Sequence, residues 1–128
     1  MPVLAYLFRQ RGPMKRLVFV GDSHDVLAEF PEPVKQHVGF ALYQAQMGGK
    51  HVDAKPLRHL GSGILEVVSD HRGDTFRTVY TVRLAKAVYV LHAFQEKSKH
   101  GIATPQSEIE LVKKRLQRAM EIDRGMEE

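Results

Sequence analysis

The stretch ILEVVSDHRGDTFRTVYTVRLAKAVYVLHAF, Ile64–Phe94, decides the fold. Three β-branched and aromatic runs, Ile64 to Val68, Thr75 to Val82 and Ala87 to Phe94, are separated by Asp70-His71-Arg72-Gly73-Asp74 and by Arg83-Leu84-Ala85-Lys86. Runs of that composition, punctuated by charged turns, predict a three-stranded antiparallel meander. In the middle run Phe76, Thr78, Tyr80 and Val82 share one face, while Thr75, Arg77, Val79 and Thr81 share the other. Arg77 is therefore expected mid-strand on the less apolar face, pointing away from the helices. Lys55-Pro56-Leu57 adds a short edge strand at most.

Upstream, Arg16 to Val20 reads as a strand ended by Gly21-Asp22. Asp22 or Ser23 is placed to cap a short helix carrying Val26, Leu27 and Phe30 on one side. Pro31-Glu32-Pro33 breaks that helix and opens the next. There Val34, Val38, Ala41, Leu42 and Ala45 form one apolar stripe that Gly48-Gly49 ends. The two helices predict an αα-hairpin whose apolar faces need a sheet. Downstream, Thr104-Pro105 is a helix start of the cap-then-proline kind, followed by Ile109, Val112, Leu116, Ala119 and Met120 at helical spacing. The order β-α-α-(β)-β-β-β-α predicts an α+β fold, one antiparallel sheet packed against helices. Residues 1–14 read as an N-terminal extension, 15–122 as a single domain and 123–128 as a polar tail.

Composition narrows the chemistry. The chain has 128 residues, 43% of them apolar and 27% charged, and a formal charge of +4. That is one ordinary domain, too short for separate cofactor and substrate halves. With no cysteine, a disulfide scaffold, a thiolate zinc site and a cysteine nucleophile are all excluded. The apolar run Val3 to Phe8 is too short to cross a membrane, so a cytoplasmic protein is the default expectation. No phosphate-binding glycine loop, HExxH pair or GxSxG elbow occurs. The histidines do not fall at i, i+4 on any predicted helix, so a zinc site would need several loops to converge, and neither a metal nor a cofactor is implied.

The charge is unevenly placed. Residues 50–100 hold nine Lys/Arg and five acids, while the rest of the chain is neutral. Five of the seven histidines, His51, His59, His71, His92 and His100, lie in the same window. A sheet face presenting Arg77, flanked by Lys55, Arg58, Arg72, Lys97 and Lys99, has the cations to hold a phosphodiester. The bland alternative for Arg77 is an ion pair with Glu66 on the neighbouring strand, and the two roles are compatible. Phe94 stands near a strand end, where it either stacks on a base or belongs to the core.

Several tracts in order resemble the phage-related branch of the RelE/HigB toxin superfamily: Lys55-Pro56-Leu57, Gly61 to Glu66, Phe76-Arg77-Thr-Val-Tyr80, Tyr89 to Ser98, and Thr104-Pro105 followed by Glu108-Ile109. The resemblance spans about residues 15–120. It implies the toxin of a type II toxin–antitoxin pair, a metal-independent endoribonuclease that cuts messenger RNA on the ribosome. Its partner would be a cognate antitoxin, typically of helix-turn-helix type. The implied reaction is attack of a ribose 2′-OH on the adjacent phosphate, which needs a base, cations for the pentacoordinate phosphate and an acid for the leaving oxygen.

Carried over by position, Arg77 matches the strand arginine expected to clamp phosphate, Lys55 the basic residue of the Lys-x-Leu tract, and Lys97 the lysine after the aromatic strand. His92 and Phe94 belong to the same motif and share a face. His59, His71 and His92 are candidates for acid and base. Two departures stand out: Leu65 where the family often has Trp, and Glu96-Lys97 where it often has Lys-Lys. A non-catalytic binding module of the same fold, working with a helix-turn-helix partner in transcriptional autoregulation or phage biology, is the alternative. On the enzyme reading, Arg77→Ala is expected to abolish toxicity while the protein stays folded.

Overall fold

The computed structural model describes residues 14–57, 59–96 and 104–126. The elements are β1 (Arg16–Phe19), α1 (Ser23–Ala28), α2 (Glu32–Gln46), β2 (Ala54–Pro56), β3 (Ile64–His71), β4 (Asp74–Thr81), β5 (Ala87–Glu96) and α3 (Gln106–Gly125). The sheet order is β1-β5-β4-β3-β2. The expected meander is its centre, with β3, β4 and β5 paired antiparallel, and the short β2 joins β3 as the foreseen edge strand. Arg72 (φ 52°) and Gly73 (φ 86°) are the two loop residues of the β3–β4 hairpin, both left-handed, as a tight turn matched to strand twist requires. The sheet is not purely antiparallel, because β1 runs parallel to β5.

Both faces of the sheet are covered. On one, the α2 stripe Val34, Val38, Ala41, Leu42 and Ala45 packs with Leu65, Val67, Phe76, Tyr80, Val88 and Val90. On the other, Val112, Leu116 and Ala119 of α3 pack with Ile64, Val79, Tyr89 and Leu91. The expectation that Arg77 points away from the helices is thereby corrected. Its face, shared with Val79, lies under α3, and Arg77 is 5% exposed. The helix could not be assigned to a face from the sequence, since α3 has an apolar stripe that fits either side.

Two cap expectations are also corrected. Asp22, Ser23 and Thr104 make no cap hydrogen bond; Asp22 instead pairs with Arg115, the Ser23 hydroxyl donates to the Val90 carbonyl, and Thr104 donates to Glu66. Helix α3 runs on through Gly125, with Asp123 buried against the sheet. There Asp123 accepts hydrogen bonds from the Tyr89 hydroxyl (2.8 Å) and the Lys86 amide (2.9 Å), so this part of the expected polar tail is an anchor.

Candidate functional site

The site grows from an irregularity in β5. Tyr80 pairs with Val90 but Val79 pairs with His92, leaving Leu91 as an extra residue. A bulge of this kind shifts the alternation by one. Upstream of it Tyr89 faces α3; downstream His92, Phe94 and Glu96 do, on the face that carries Arg77. Arg77, His92, Phe94 and Glu96 thus share one stretch of the face that α3 covers, His92 reaching Glu108 in the first turn of the helix.

Arg77 lies between two carboxylates, with one terminal nitrogen 3.2 Å from Glu66 Oε1 and Nε 3.5 Å from Glu96 Oε1. All three residues are buried. The expected Glu66 pair is present, and Glu96 supplies a second carboxylate. The second Glu66 oxygen accepts the Thr104 hydroxyl. A guanidinium held this way contributes cohesion first, because removing one member of a buried ion pair leaves its partner charged and desolvated.

His92 is equally committed. Arg115 has only donors, so its contact with Nδ1 at 3.2 Å makes that nitrogen the acceptor. The ring proton then sits on Nε2 and is donated to Glu108 Oε1 at 2.5 Å. Arg115 also donates to the Leu91 carbonyl (3.1 Å) and pairs with Asp22 (2.8 Å). The arginine fills the space beside Gly21, where a Cβ would lie 2.5 Å from its Nε. Phe94 stacks on His92 with centroids 5.1 Å apart, so the two share a face as expected and both are buried.

Next to this network, a cleft of about 590 Å³ opens between β2 and the start of α3. Lys55, His59, Glu66, Thr104, Gln106 and Lys113 line it. Glu66 is the hinge of the arrangement, touching Arg77 on one side and the cleft on the other. Lys55, His59 and Lys113 are exposed; Lys113 also pairs with Glu110 at 3.5 Å on the helix surface, a solvent-screened contact that a bound anion has to compete with. The cleft therefore combines two cations, an imidazole and a fixed carboxylate, a set suited to an anionic ligand that also needs a proton donor or acceptor.

Of the residues expected at the site, Arg77, His92 and Phe94 are together in the buried network and Lys55 is in the adjoining cleft. Arg72 is exposed in the β3–β4 turn and is not among the cleft's lining residues. Arg58, Lys97 and Lys99 lie outside the described residues. Lys113, Glu108 and Arg115 escape the sequence reading. A signal exists for the last two: Glu108 is four residues before Val112 and Arg115 three after it, which puts both on the buried stripe of α3. Charged residues on a buried stripe announce partners, because they are seldom buried unpaired.

An α+β domain with a buried arginine–carboxylate network beside a basic cleft is the class that fold and site define. Residues 25–117 match the family model described as Phage derived protein Gp49-like (DUF891). The chain belongs to this phage-derived, toxin-like family, and an antitoxin partner fits that membership. No curated protein and no solved structure matches the chain. Among the described residues no helix is long and apolar enough to cross a membrane.

Proposed function

We propose that the protein is the toxin of a type II toxin–antitoxin pair of the RelE/HigB superfamily and acts as an endoribonuclease on ribosome-bound messenger RNA. The observation that carries this reading is the cleft uniting Lys55, His59 and Lys113 with Glu66. Cleavage by a 2′-OH needs positive charge at the phosphate and groups to take up and return a proton. Lys55 and Lys113 supply the charge from opposite walls. His59 is the proton-exchanging group, since both nitrogens of His92 are occupied and His71 is not among the lining residues. Arg77 acts through Glu66, holding the wall of the cleft in place.

The test is controlled expression without an antitoxin. The wild type should arrest growth and shorten translated messages, and His59→Ala or Lys55→Ala should relieve both, with the purified variants still folded because both side chains are on the surface. A harmless wild type and intact messages would sink the enzyme reading. One observation favours the alternative of a non-catalytic module: Arg77, the residue expected to clamp phosphate, is engaged by two carboxylates instead. On that reading the chain binds its helix-turn-helix partner and operator-bound complexes form while messages stay whole.

A further inference from the structure

On the sheet face covered by α2, two histidines and an aspartate come together from separate parts of the chain. His37 lies on α2, and His51 and Asp53 lie in the segment between α2 and β2. One ligand atom from each is within 4.8 Å of the others. We propose that His37, His51 and Asp53 form a binding site for a divalent transition-metal ion, Zn²⁺ by donor type, that fastens the α2–β2 segment to the sheet.

The donor set is the first argument. Two imidazoles and one carboxylate are a zinc-type set, with the remaining position left for water. His37 Nε2 is 2.8 Å from Asp53 Oδ2, and His51 Nδ1 is 3.9 Å from the same oxygen. Tetrahedral zinc with bonds of about 2.0–2.2 Å spaces its donors about 3.3 Å apart. The closer of these pairs must therefore open and the wider one close, each by about half an ångström, and the two imidazole nitrogens, which lie within 4.8 Å of each other, must close to about 3.3 Å as the His51 side chain rotates. Asp53 is 52% exposed at its side chain, so water can reach the fourth position.

The outer shell is the second argument. His37 Nδ1 is 2.7 Å from the Ser69 hydroxyl on β3. With Nε2 on the metal, the ring's one proton sits on Nδ1 and is donated to Ser69, which is how ligating histidines are commonly oriented. Phe40 meets His51 edge-on at 5.5 Å and the two histidine rings meet at 5.2 Å, which restricts their rotation. His51 Nδ1 now accepts the Asp53 amide at 3.0 Å, and ligation through that nitrogen gives up this bond. Entry is from a cleft of about 450 Å³ lined by His37, Asp53 and Ser69, together with Lys55 and Asp70, whose charges are opposite.

Titration of the full, tag-free protein with Zn²⁺ alone, followed by calorimetry, tests the site. One equivalent should bind, and His37→Ala or His51→Ala should weaken it more than about tenfold, since loss of an outer-shell partner alone typically costs about 10–100-fold. Asp53→Asn should weaken it at least about tenfold, and His24→Ala, an exposed histidine elsewhere, should leave it unchanged. At equal Zn²⁺ concentration the melting temperature of the wild type should also rise more than that of Asp53→Asn. Wild-type affinity equal to that of His51→Ala would overturn the proposal, leaving the cluster a hydrogen-bonded tie. If His37→Ala does not fold, His51→Gln and Asp53→Asn decide it: unchanged affinity in both refutes the site, loss in both supports it.

Discussion

At Arg77, burial decides what the residue does. Its pairing with Glu66 was legible in the sequence, because the two stand on facing strands with side chains on one face. The second carboxylate was not, since Glu96 reaches that face only through the shift at Leu91. The result reverses the expected behaviour of Arg77→Ala. That substitution should destabilise the fold by about 3–5 kcal/mol, read from urea unfolding, because Glu66 and Glu96 are left buried without their cation. Loss of toxicity in that variant would report unfolding, whereas Lys55 and His59 separate activity from stability. Tyr80 gives the opposite case: its hydroxyl is buried and has no hydrogen-bond partner among the described residues. Tyr80→Phe keeps the ring and removes the unsatisfied group, so stability should rise by about 1 kcal/mol. Burial pushes the Tyr80 pKa from 10.0 up to about 12. Its neutral form is thus favoured by folding, a contribution present below pH 10 and lost as pH rises toward 12, and Tyr80→Phe should flatten that alkaline loss.

Among the elements, α2 and the central strands were legible because their apolar residues recur at a clear period, and every stripe residue foreseen on α2 is buried. The parallel placement of β1 and the side of the sheet taken by α3 were not legible, because a single strand or helix pattern carries no partner information. The end of α3 is hidden for a different physical reason. A carboxylate near a chain end reads as solvated, yet Asp123 recurs four residues after Ala119 on the buried stripe. Burial by itself would raise its pKa. Hydrogen bonds from Tyr89, Lys86 and Ala85, with the charge of Lys86, outweigh that and hold the carboxyl below its ordinary 3.8. The folded state therefore favours the ionised form, and this stabilisation is present above about pH 4 and lost as pH falls through the lowered value. Asp123→Asn should cost about 1–3 kcal/mol at pH 7, measured by urea unfolding, with the gap to wild type narrowing as the acid range is entered. A gap that stays constant from pH 7 down to pH 3 would show that Asp123 does not anchor the helix through its charge.

Over the whole molecule the charge excess of residues 50–100 is only part of what makes the cleft basic. Lys55 belongs to that window, but Lys113 comes from the neutral remainder and is brought opposite it by the packing of α3. Segment counting finds a basic region and misses a cation delivered by tertiary structure. The same packing removes Arg77 from the surface, where its charge is already answered by Glu66 and Glu96. Among the described residues, the cations that line the cleft are therefore Lys55 and Lys113 and not Arg77. If Lys55 and Lys113 each neutralise a phosphate, the logarithm of affinity for single-stranded RNA should fall with the logarithm of salt concentration less steeply once both are removed. The slope of the Lys55→Ala/Lys113→Ala double variant should be shallower than wild type by about 1.4, since each phosphate charge left unneutralised is worth about 0.7. Arg72→Ala, in the exposed β3–β4 turn, should leave the slope where it is, because that residue does not line the cleft. Equal slopes for wild type and double variant would place RNA elsewhere on the molecule and take the cleft out of the reaction.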